Sequence, residues 1–225
     1  MVNGQAFRML MDVMFKSHPW HGVPIGPRAP EVVTTYIEIV PADTVKYELD
    51  KATGHLKIDR PQRYSNVCPT LYGLIPQTYS GERVAELCAW RTGRDGIRGD
   101  GDPLDICVLT EHTILHGDIL LRAMPIGGLR VIDGDEADDK IIAVLEDDVA
   151  FGTWSDISDC PSTLIDRLRH YFLTYKSAPD APHKDVEVTH VFDREEALEL
   201  IRRSRDDYSA HFGDLEEALS RLLRG

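Results

Sequence analysis

Apolar and polar positions alternate over the first third of the chain. In residues 45–49 the apolar side chains fall on one face, whereas Lys46 and Glu48 fall on the other. This period of two is typical of a half-buried strand. A similar run covers residues 32–40, and another at residues 56–58 follows a turn at residues 51–54. The pattern predicts three strands, of which the last two form a hairpin that presents a charged pair on one surface.

Further strand-like runs follow in the middle of the chain. They cover residues 106–109, 119–124, 129–132 and 141–145, and Gly, Pro and Asp turns separate them. Many short strands without an intervening helix favour an antiparallel barrel or sandwich over a parallel doubly wound sheet. We therefore expect an α+β protein that is mainly β.

Helical periodicity appears in the last third of the chain. Residues 163–176 place their apolar side chains on one helical face after a start signal at Pro161-Ser162. Asp193 with Glu196 has the form of a capping box and predicts a second helix, and Asp214 with Glu217 repeats the signal near the C-terminus. Two or three helices should thus flank the strands.

Residues 76–99 are rich in Arg and Gly, and they are long for a plain connection. We predict an irregular insertion or a flexible lid. Arg91, Arg94 and Arg98 could form a phosphate clamp, but solvated loop charges are the more common case. We therefore do not count these three residues as part of a site.

The composition is that of one soluble globular domain covering residues 1–225, with an N-terminal extension at 1–20 and a C-terminal helical extension at 206–225. The chain has 225 residues, of which 42% are hydrophobic and 28% are charged. No apolar run has the length of a bilayer span, and charged residues interrupt the N-terminus, unlike a signal peptide. We expect a cytoplasmic protein with no membrane partner.

Charge and cysteine content narrow the possible functions. A net charge of −13 argues against nucleic acid bound through a broad basic surface. The negative charge does not exclude an anionic substrate, because bound divalent ions reverse the sign of the local charge at a carboxylate site. The four cysteines form no CxxC pair and have no zinc-finger spacing, so we expect free thiols.

The hexapeptide Asp100-Gly101-Asp102-Pro103-Leu104-Asp105 carries three carboxylates just before an apolar run. Such close like charges repel one another unless a cation lies between them, and oxygen ligands on a stiff turn suit Mg²⁺ or Mn²⁺. A plain acidic turn is the alternative that a single Asp-Gly would favour. A calcium loop does not fit, because Pro103 and Asp105 stand where the loop must bend and no helical pattern precedes it.

A second acidic cluster spans residues 133–140 between two predicted strands. By itself it would be a solvated surface turn. Two acidic loops that each open a strand could instead meet at one end of a barrel, where ligand sites are common. Basic and phenolic candidates accompany them, namely Lys46, Arg60, Tyr72, Lys140, Tyr175 and Lys176. Carboxylates facing several cations are what a magnesium–phosphate complex requires.

Several blocks of the chain carry a resemblance to a known family. They are residues 36–39, 45–50, 58–60 and 72–76, the hexapeptide, Asp133 with Asp138 and Lys140, and His170-Tyr171-Phe172-Leu173-Thr174-Tyr175-Lys176. In this order they resemble the family I soluble inorganic pyrophosphatases. The resemblance implies a five-stranded OB-like antiparallel barrel and hydrolysis of pyrophosphate to two phosphates by direct attack of a metal-activated water.

The resemblance also implies a role for each matched residue. It makes Asp102 the general base, with Tyr72 hydrogen-bonded nearby. The other roles are metal binding for Asp100, Asp105, Asp133, Asp138 and Glu38, an acidic wall for Glu48, and phosphoryl binding for Lys46, Arg60, Lys140, Tyr175 and Lys176. Mg²⁺ is the implied cofactor, with Mn²⁺ as a substitute, and pyrophosphate, phosphate and further copies of the chain are the implied partners.

Three departures from the family pattern leave alternatives open, and the first is the segment from Gln77 to Gly99, which is longer than we expect before the hexapeptide. Cys68 stands where bacterial relatives present a tyrosine, and we expect it near the site; Gly134 follows Asp133 where some relatives carry an acid. One alternative is a catalytically impaired OB-like binding module. Another is a metal hydrolase of other phosphoanhydrides or phosphoesters, although the chain has no Gly-x-x-x-x-Gly-Lys phosphate loop.

Overall fold

The alternating segments form strands where their period predicts them. The computed structural model describes residues 17–63, 65–176 and 186–213. Its strands are β1 (Val33–Ile39), β2 (Val45–Leu49), β3 (Leu56–Pro61), β4 (Leu71–Leu74), β5 (Arg98–Gly99), β6 (Asp105–Leu109), β7 (Ile119–Asp133), β8 (Glu136–Ala137), β9 (Lys140–Leu145) and β10 (Val186–Phe192). Its helices are α1 (Glu82–Thr92), α2 (Ser162–Thr174) and α3 (Arg194–Phe212), with a 3-10 turn at Ile157–Asp159.

Five strands pair in a closed ring in the order β1, β4, β6, β9, β7 and back to β1. Four of these pairings are antiparallel, and the β6–β9 pairing is parallel. The predicted fold class is therefore confirmed, with one parallel pair in a barrel that we expected to be antiparallel throughout. The predicted hairpin is also present, because β2 and β3 form a separate two-stranded sheet.

Strand β7 is longer than its sequence suggests. We expected two strands with a break near residues 125–128, but the 15 residues of β7 continue through a register shift between Pro125 and Gly127. A Cβ atom on Gly127 would lie 2.5 Å from the Phe192 carbonyl oxygen and 2.6 Å from the Ile157 Cβ. The glycine thus permits close approach of neighbouring segments and does not end the strand.

Helix α1 contradicts the prediction of an irregular segment. Its buried face consists of Val84, Ala85, Leu87 and Cys88, which pack into the core. The many charged residues between them hide this apolar face in the sequence pattern. Because α1 precedes the hexapeptide, the expectation that no helix does so is wrong. The exclusion of a calcium loop now depends on Pro103 and Asp105 alone.

The two other helices lie where the sequence predicts them. Asp193 caps α3 by accepting a hydrogen bond from the Glu196 backbone N at 2.9 Å. The Glu196 side chain, however, bonds to Arg130 at 2.9 Å, which is a different use from the predicted capping box. The third helix predicted from Asp214 lies outside the described residues, and β10 was not predicted.

The strands separate two apolar clusters because alternate side chains point to opposite faces. One cluster includes Ile141 and Ala143 of β9 together with residues of α1 and α3. The other includes Ile142 and Val144 of β9 together with residues of α2. Helices therefore cover both faces of the strands. Within the described part of the chain, none of the helices combines the length and apolar character of a membrane span.

Candidate active site

The acidic hexapeptide forms a tight loop that leads into β6. Gly101 adopts a φ of +76°, a conformation that side chains with a Cβ rarely take. The backbone of the loop is tied to Ser80, which donates its N–H to the Asp102 carbonyl at 2.8 Å and accepts from the Gly101 N–H at 3.1 Å. Inside the loop the Asp100 carboxylate accepts from the Asp102 N–H at 2.8 Å. These bonds fix the backbone from which the acidic side chains extend.

The loop borders a cavity of about 140 Å³ at the barrel. Every residue predicted for the site lines this cavity except Arg60 and Asp133. The charged residues in the lining are Glu38, Lys46, Glu48, Lys51, Asp100, Asp102, Asp105, Asp138, Lys140 and Lys176, with Tyr72 and Tyr175 beside them. The structure thus brings the two acidic loops together with the predicted cations.

Lys140 lines this cavity, and its side chain is almost fully buried. The parallel pairing of β6 and β9 sets Asp105 opposite Lys140, and the buried ammonium makes ion pairs with Asp105 and Asp138. Burial opposes the charge on Lys140, but the two carboxylates outweigh burial and raise its pKa well above the ordinary value. The Tyr72 hydroxyl donates to Asp105 Oδ2 at 2.6 Å, so Tyr72 orients Asp105 and not Asp102.

Three carboxyl groups of the cavity have raised pKa values. Burial and then the charge of Asp105 raise the pKa of Glu38 to about 8. Burial and then the charge of Asp138 raise the pKa of Asp100 to about 8, and burial is the largest cause of the raised pKa of Asp138. The site therefore has an excess of buried negative charge that a divalent cation would relieve.

The donor set fits a hard cation in its chemistry. Carboxylate oxygens are the ligands that Mg²⁺ and Mn²⁺ prefer. In the described ranges, however, no three His, Cys, Asp or Glu side chains are arranged to hold a metal ion. Lysine ammonium groups occupy the positions between the carboxylates, as Lys140 does between Asp105 and Asp138.

The hairpin of β2 and β3 supplies the outer part of the site. Lys46 Nζ lies 3.0 Å from Glu48 Oε2 and 3.2 Å from Asp59 Oδ2. Burial opposes the charge on Lys46, but Glu48 and Asp59 together raise its pKa. The hairpin is joined to the barrel by Glu38, whose Oε1 accepts the Leu49 N–H at 2.7 Å. Hairpin and barrel thus share one carboxylate at their junction.

The two predicted residues that do not line the cavity contact residues that do. The Arg60 guanidinium carbon lies 5.7 Å from the centre of the Tyr175 ring, at the distance of a cation–π contact. Asp133 makes an ion pair with Lys176, whose ammonium lies 5.4 Å from the same ring. Both residues therefore border the site at the end of α2.

Two residues of the site escaped prediction. Lys51 lines the cavity and makes an ion pair with Asp102, and Asp59 bonds to both Lys46 and Arg60. Lys51 lies in the hairpin turn, where a charged residue has no sequence signal of its own. Asp59 lies inside a matched block, next to Arg60, and this adjacency was the available signal.

Cys68 lies in the protein interior. Its side chain is fully buried in the apolar cluster beneath α2, and it is not part of the cavity lining. Burial raises the pKa of the Cys68 thiol to about 11, so the reactive thiolate is scarce at neutral pH. The structure places the thiol outside the cavity lining, in the same apolar cluster as Tyr72 and Tyr175, and its proximity to the site stays a prediction.

The barrel and its cavity are typical of an enzyme that binds phosphate groups together with metal ions, since carboxylates suited to hard cations line the cavity beside several lysines. Comparison with known families supports this class. The family model described as "Inorganic pyrophosphatase" matches residues 35–209, which include the barrel except the first two residues of β1, together with α1, α2 and most of α3.

Individual proteins give the same result. An inorganic pyrophosphatase of Chlamydia trachomatis serovar D is 53% identical over 196 residues, which are 85% of this chain and 94% of that protein. A soluble inorganic pyrophosphatase of Oryza sativa subsp. japonica is 40% identical, over 87% of this chain and 81% of that protein. The crystal structure of the Thermus thermophilus enzyme aligns with a TM-score of 0.71 and 32% identity, over 86% of this chain and 99% of that one. The chain belongs to the inorganic pyrophosphatase family.

Proposed function

We propose that the protein hydrolyses inorganic pyrophosphate to two phosphates in a reaction that depends on Mg²⁺, with Mn²⁺ as a substitute. The observation that carries the proposal is the cavity, in which three carboxyl groups of raised pKa face four lysines. Divalent cations would neutralise the carboxylates, and a polyanion would form ion pairs with the lysines. Pyrophosphate bound with Mg²⁺ provides both.

Each acidic residue has a place in this proposal. Asp100, Asp105 and Asp138 would hold a first ion, with Asp105 also reaching a second. Asp133 and Asp138 would hold an ion that arrives with the substrate, and Glu38 would help to bind another, with Glu48 in the acidic wall. Bound Mg²⁺ would neutralise phosphoryl oxygens and lower the pKa of the attacking water. Tyr72 supports this arrangement because its hydrogen bond fixes the orientation of Asp105.

The cations bind the two phosphoryl groups. Lys140 and Lys46 extend from the barrel and the hairpin, while Arg60, Tyr175 and Lys176 lie together at the end of α2. Ion pairs with carboxylates hold Lys46, Lys140 and Lys176 near the cavity before substrate arrives. Because these charges already lie at the cavity, they can turn from the carboxylates to the phosphoryl groups and stabilise the charge on the leaving phosphate.

Asp102 accepts the proton of the attacking water. Its side chain is 46% exposed at the cavity, so solvent reaches it without a conformational change. The described residues that line the cavity include no Ser, Thr, Cys or His. Direct attack of water is therefore favoured over a covalent intermediate on one of these nucleophiles.

Phosphate release from pyrophosphate, with and without Mg²⁺ and beside ATP, tests the proposal. We expect Mg²⁺-dependent release from pyrophosphate and much slower release from ATP. Equal rates on the two compounds would favour a general hydrolase of phosphoanhydrides. Absence of release at micromolar enzyme would leave a binding module without turnover.

We also propose that the protein acts in the cytoplasm as a homo-oligomer. The family resemblance supports this, and Leu115 and Leu120 expose more than half of their surface in the single chain. Light scattering during size-exclusion chromatography tests the assembly. A mass of one chain, 25.3 kDa, at micromolar concentration would contradict it.

A further inference from the structure

A buried arginine lies directly behind the active site. Arg130 of β7 has no exposed surface, and its side chain lies on the face of the sheet that α1 and α3 cover. Its guanidinium lies 3.2 Å from Asp139 Oδ2 and 2.9 Å from Glu196 Oε1. A charge in such a position is costly unless carboxylates compensate it, so both partners are needed.

Asp139 lies between two residues of the site. Because side chains alternate along an extended segment, Asp138 and Lys140 point to one side and Asp139 to the other. Asp138 and Lys140 line the cavity, whereas Asp139 is buried against Arg130. The segment at residues 138–140 thus presents a metal ligand and a phosphate ligand to the cavity and an anchor to the opposite side.

Besides its ion pair with Arg130, the anchor is attached to β7 by hydrogen bonds at Val131. The Asp139 carboxylate accepts the Val131 N–H at 3.1 Å, and the Val131 carbonyl accepts the Asp138 N–H at 3.0 Å. The regular β7–β9 ladder ends at the pair of Leu129 with Lys140. Between that pair and the β7–β8 pair of Ile132 with Ala137, the Asp139 side chain and the Asp138 N–H make the attachment to β7.

We propose that the Arg130–Asp139 ion pair is a positioning device that holds Asp138 and Lys140 in the geometry needed for metal and phosphate. Neither residue of the pair touches the substrate in this proposal; both act through the segment they hold. The inference rests on the proposed roles of Asp138 and Lys140. In this inference the buried pair affects metal affinity as well as stability, because groups that orient metal ligands change how tightly the metal binds.

The variant Asp139→Asn tests the device because it retains size and one acceptor but removes the charge opposite Arg130. Glu196→Gln is the matched control, since it removes the charge of the other partner, on α3, which also pairs with Arg91, and leaves the ion pair between Arg130 and Asp139. We measure Mn²⁺ binding by electron paramagnetic resonance without substrate, and kcat and KM for pyrophosphate against free Mg²⁺. Thermal melts of both variants report the loss of stability.

We expect Asp139→Asn to weaken Mn²⁺ binding by about tenfold or more and to lower kcat, as substitutions of groups that orient metal ligands commonly do. Glu196→Gln should lower the melting temperature to a similar extent and leave Mn²⁺ binding within about twofold, because the anchor is intact. Arg130→Lys, which retains the positive charge, should fall between the two variants. If Asp139→Asn does not fold, the comparison of Arg130→Lys with Glu196→Gln decides the question.

Wild-type Mn²⁺ affinity and kcat in Asp139→Asn would overturn the inference. An equal loss of Mn²⁺ affinity in Glu196→Gln would also overturn it, because the network would then act only through stability. The Mn²⁺ measurement requires no turnover. A wild-type protein that does not hydrolyse pyrophosphate would therefore refute the proposed function and still leave the positioning device open to this test.

Discussion

Substitution of Asp102 by Asn should separate catalysis from stability. The Asp102 side chain is 46% exposed, and its ion-pair partner Lys51 is 45% exposed. An ion pair between such exposed groups contributes about 0–1 kcal/mol to the free energy of unfolding. For a chain of 225 residues this corresponds to a decrease of at most about 4 °C in Tm.

The expected effect on turnover is much larger. Asparagine has nearly the shape of aspartate, but its amide cannot take the proton of the attacking water. Loss of a general base lowers kcat by about 10²–10⁴-fold. This equals about 3–5 kcal/mol in the activation barrier. Metal binding should change little, because Asp102 is not among the proposed ligands.

The assay is phosphate release under saturating Mg²⁺ and pyrophosphate, with a thermal melt of the same sample. Lys51→Met is the control, because it removes the same ion pair and keeps the base. We expect this control to match the small loss in Tm and to lose less than about tenfold in kcat. A kcat of Asp102→Asn near that of the wild type would refute its role as base. An equal loss in both variants would assign the effect to the ion pair.

Three further predictions concern the metal, pH and the start of α1. Removal of Mg²⁺ by chelation should lower Tm by roughly 5–10 °C, since an ion at 100 times its Kd stabilises by about 2.7 kcal/mol; an unchanged Tm contradicts this. Burial, and then the charge of His18, lower the pKa of His21 to about 4, so the unfolded chain binds more protons below about pH 6.5. The free energy of unfolding should therefore decrease as the pH is lowered from about 6.5 to 4. In urea titrations the variant His21→Gln should show a smaller decrease, and a decrease equal to that of the wild type would contradict the assignment to His21. Asp207 accepts hydrogen bonds from the backbone N–H groups of Gly81, Arg83 and Val84. Asp207→Ala should therefore lower the free energy of unfolding by about 2–4 kcal/mol. A loss under about 1 kcal/mol in denaturant titrations would contradict this prediction.

The sequence predicted the parts of the fold whose stability is local. Alternation of apolar and polar residues identified the β2–β3 hairpin, and the Asp193 cap identified the start of α3. Helix α1 has a local stop signal in Gly93, whose φ is +66°, but no local start signal, because Gly81 has no side chain and the cap is Asp207, 126 residues away. Its helical state depends on tertiary contacts that a local pattern does not contain.

The prediction of the site also depended on local signals in the sequence. Carboxylates concentrated in the hexapeptide indicated a cation site, and the family resemblance added the partners that strands and α2 bring to it. The contribution of Lys51 and the burial of Cys68 depend on how the hairpin and α2 pack, and neither is encoded by neighbours in the chain. The same holds for Arg130, whose two carboxylate partners lie 9 and 66 positions away.

The parallel pairing of Asp105 with Lys140 has a consequence for the folding of the protein. Parallel neighbours cannot be joined by a tight turn, and these two residues are 35 positions apart in the chain. Their contact forms when β6 and β9 meet and the ring of strands closes, and non-local pairings of this kind form slowly. A partly folded chain in which only the hairpin has formed therefore lacks the contact between the hexapeptide loop and Lys140, and the recovery of activity during refolding requires closure of the barrel.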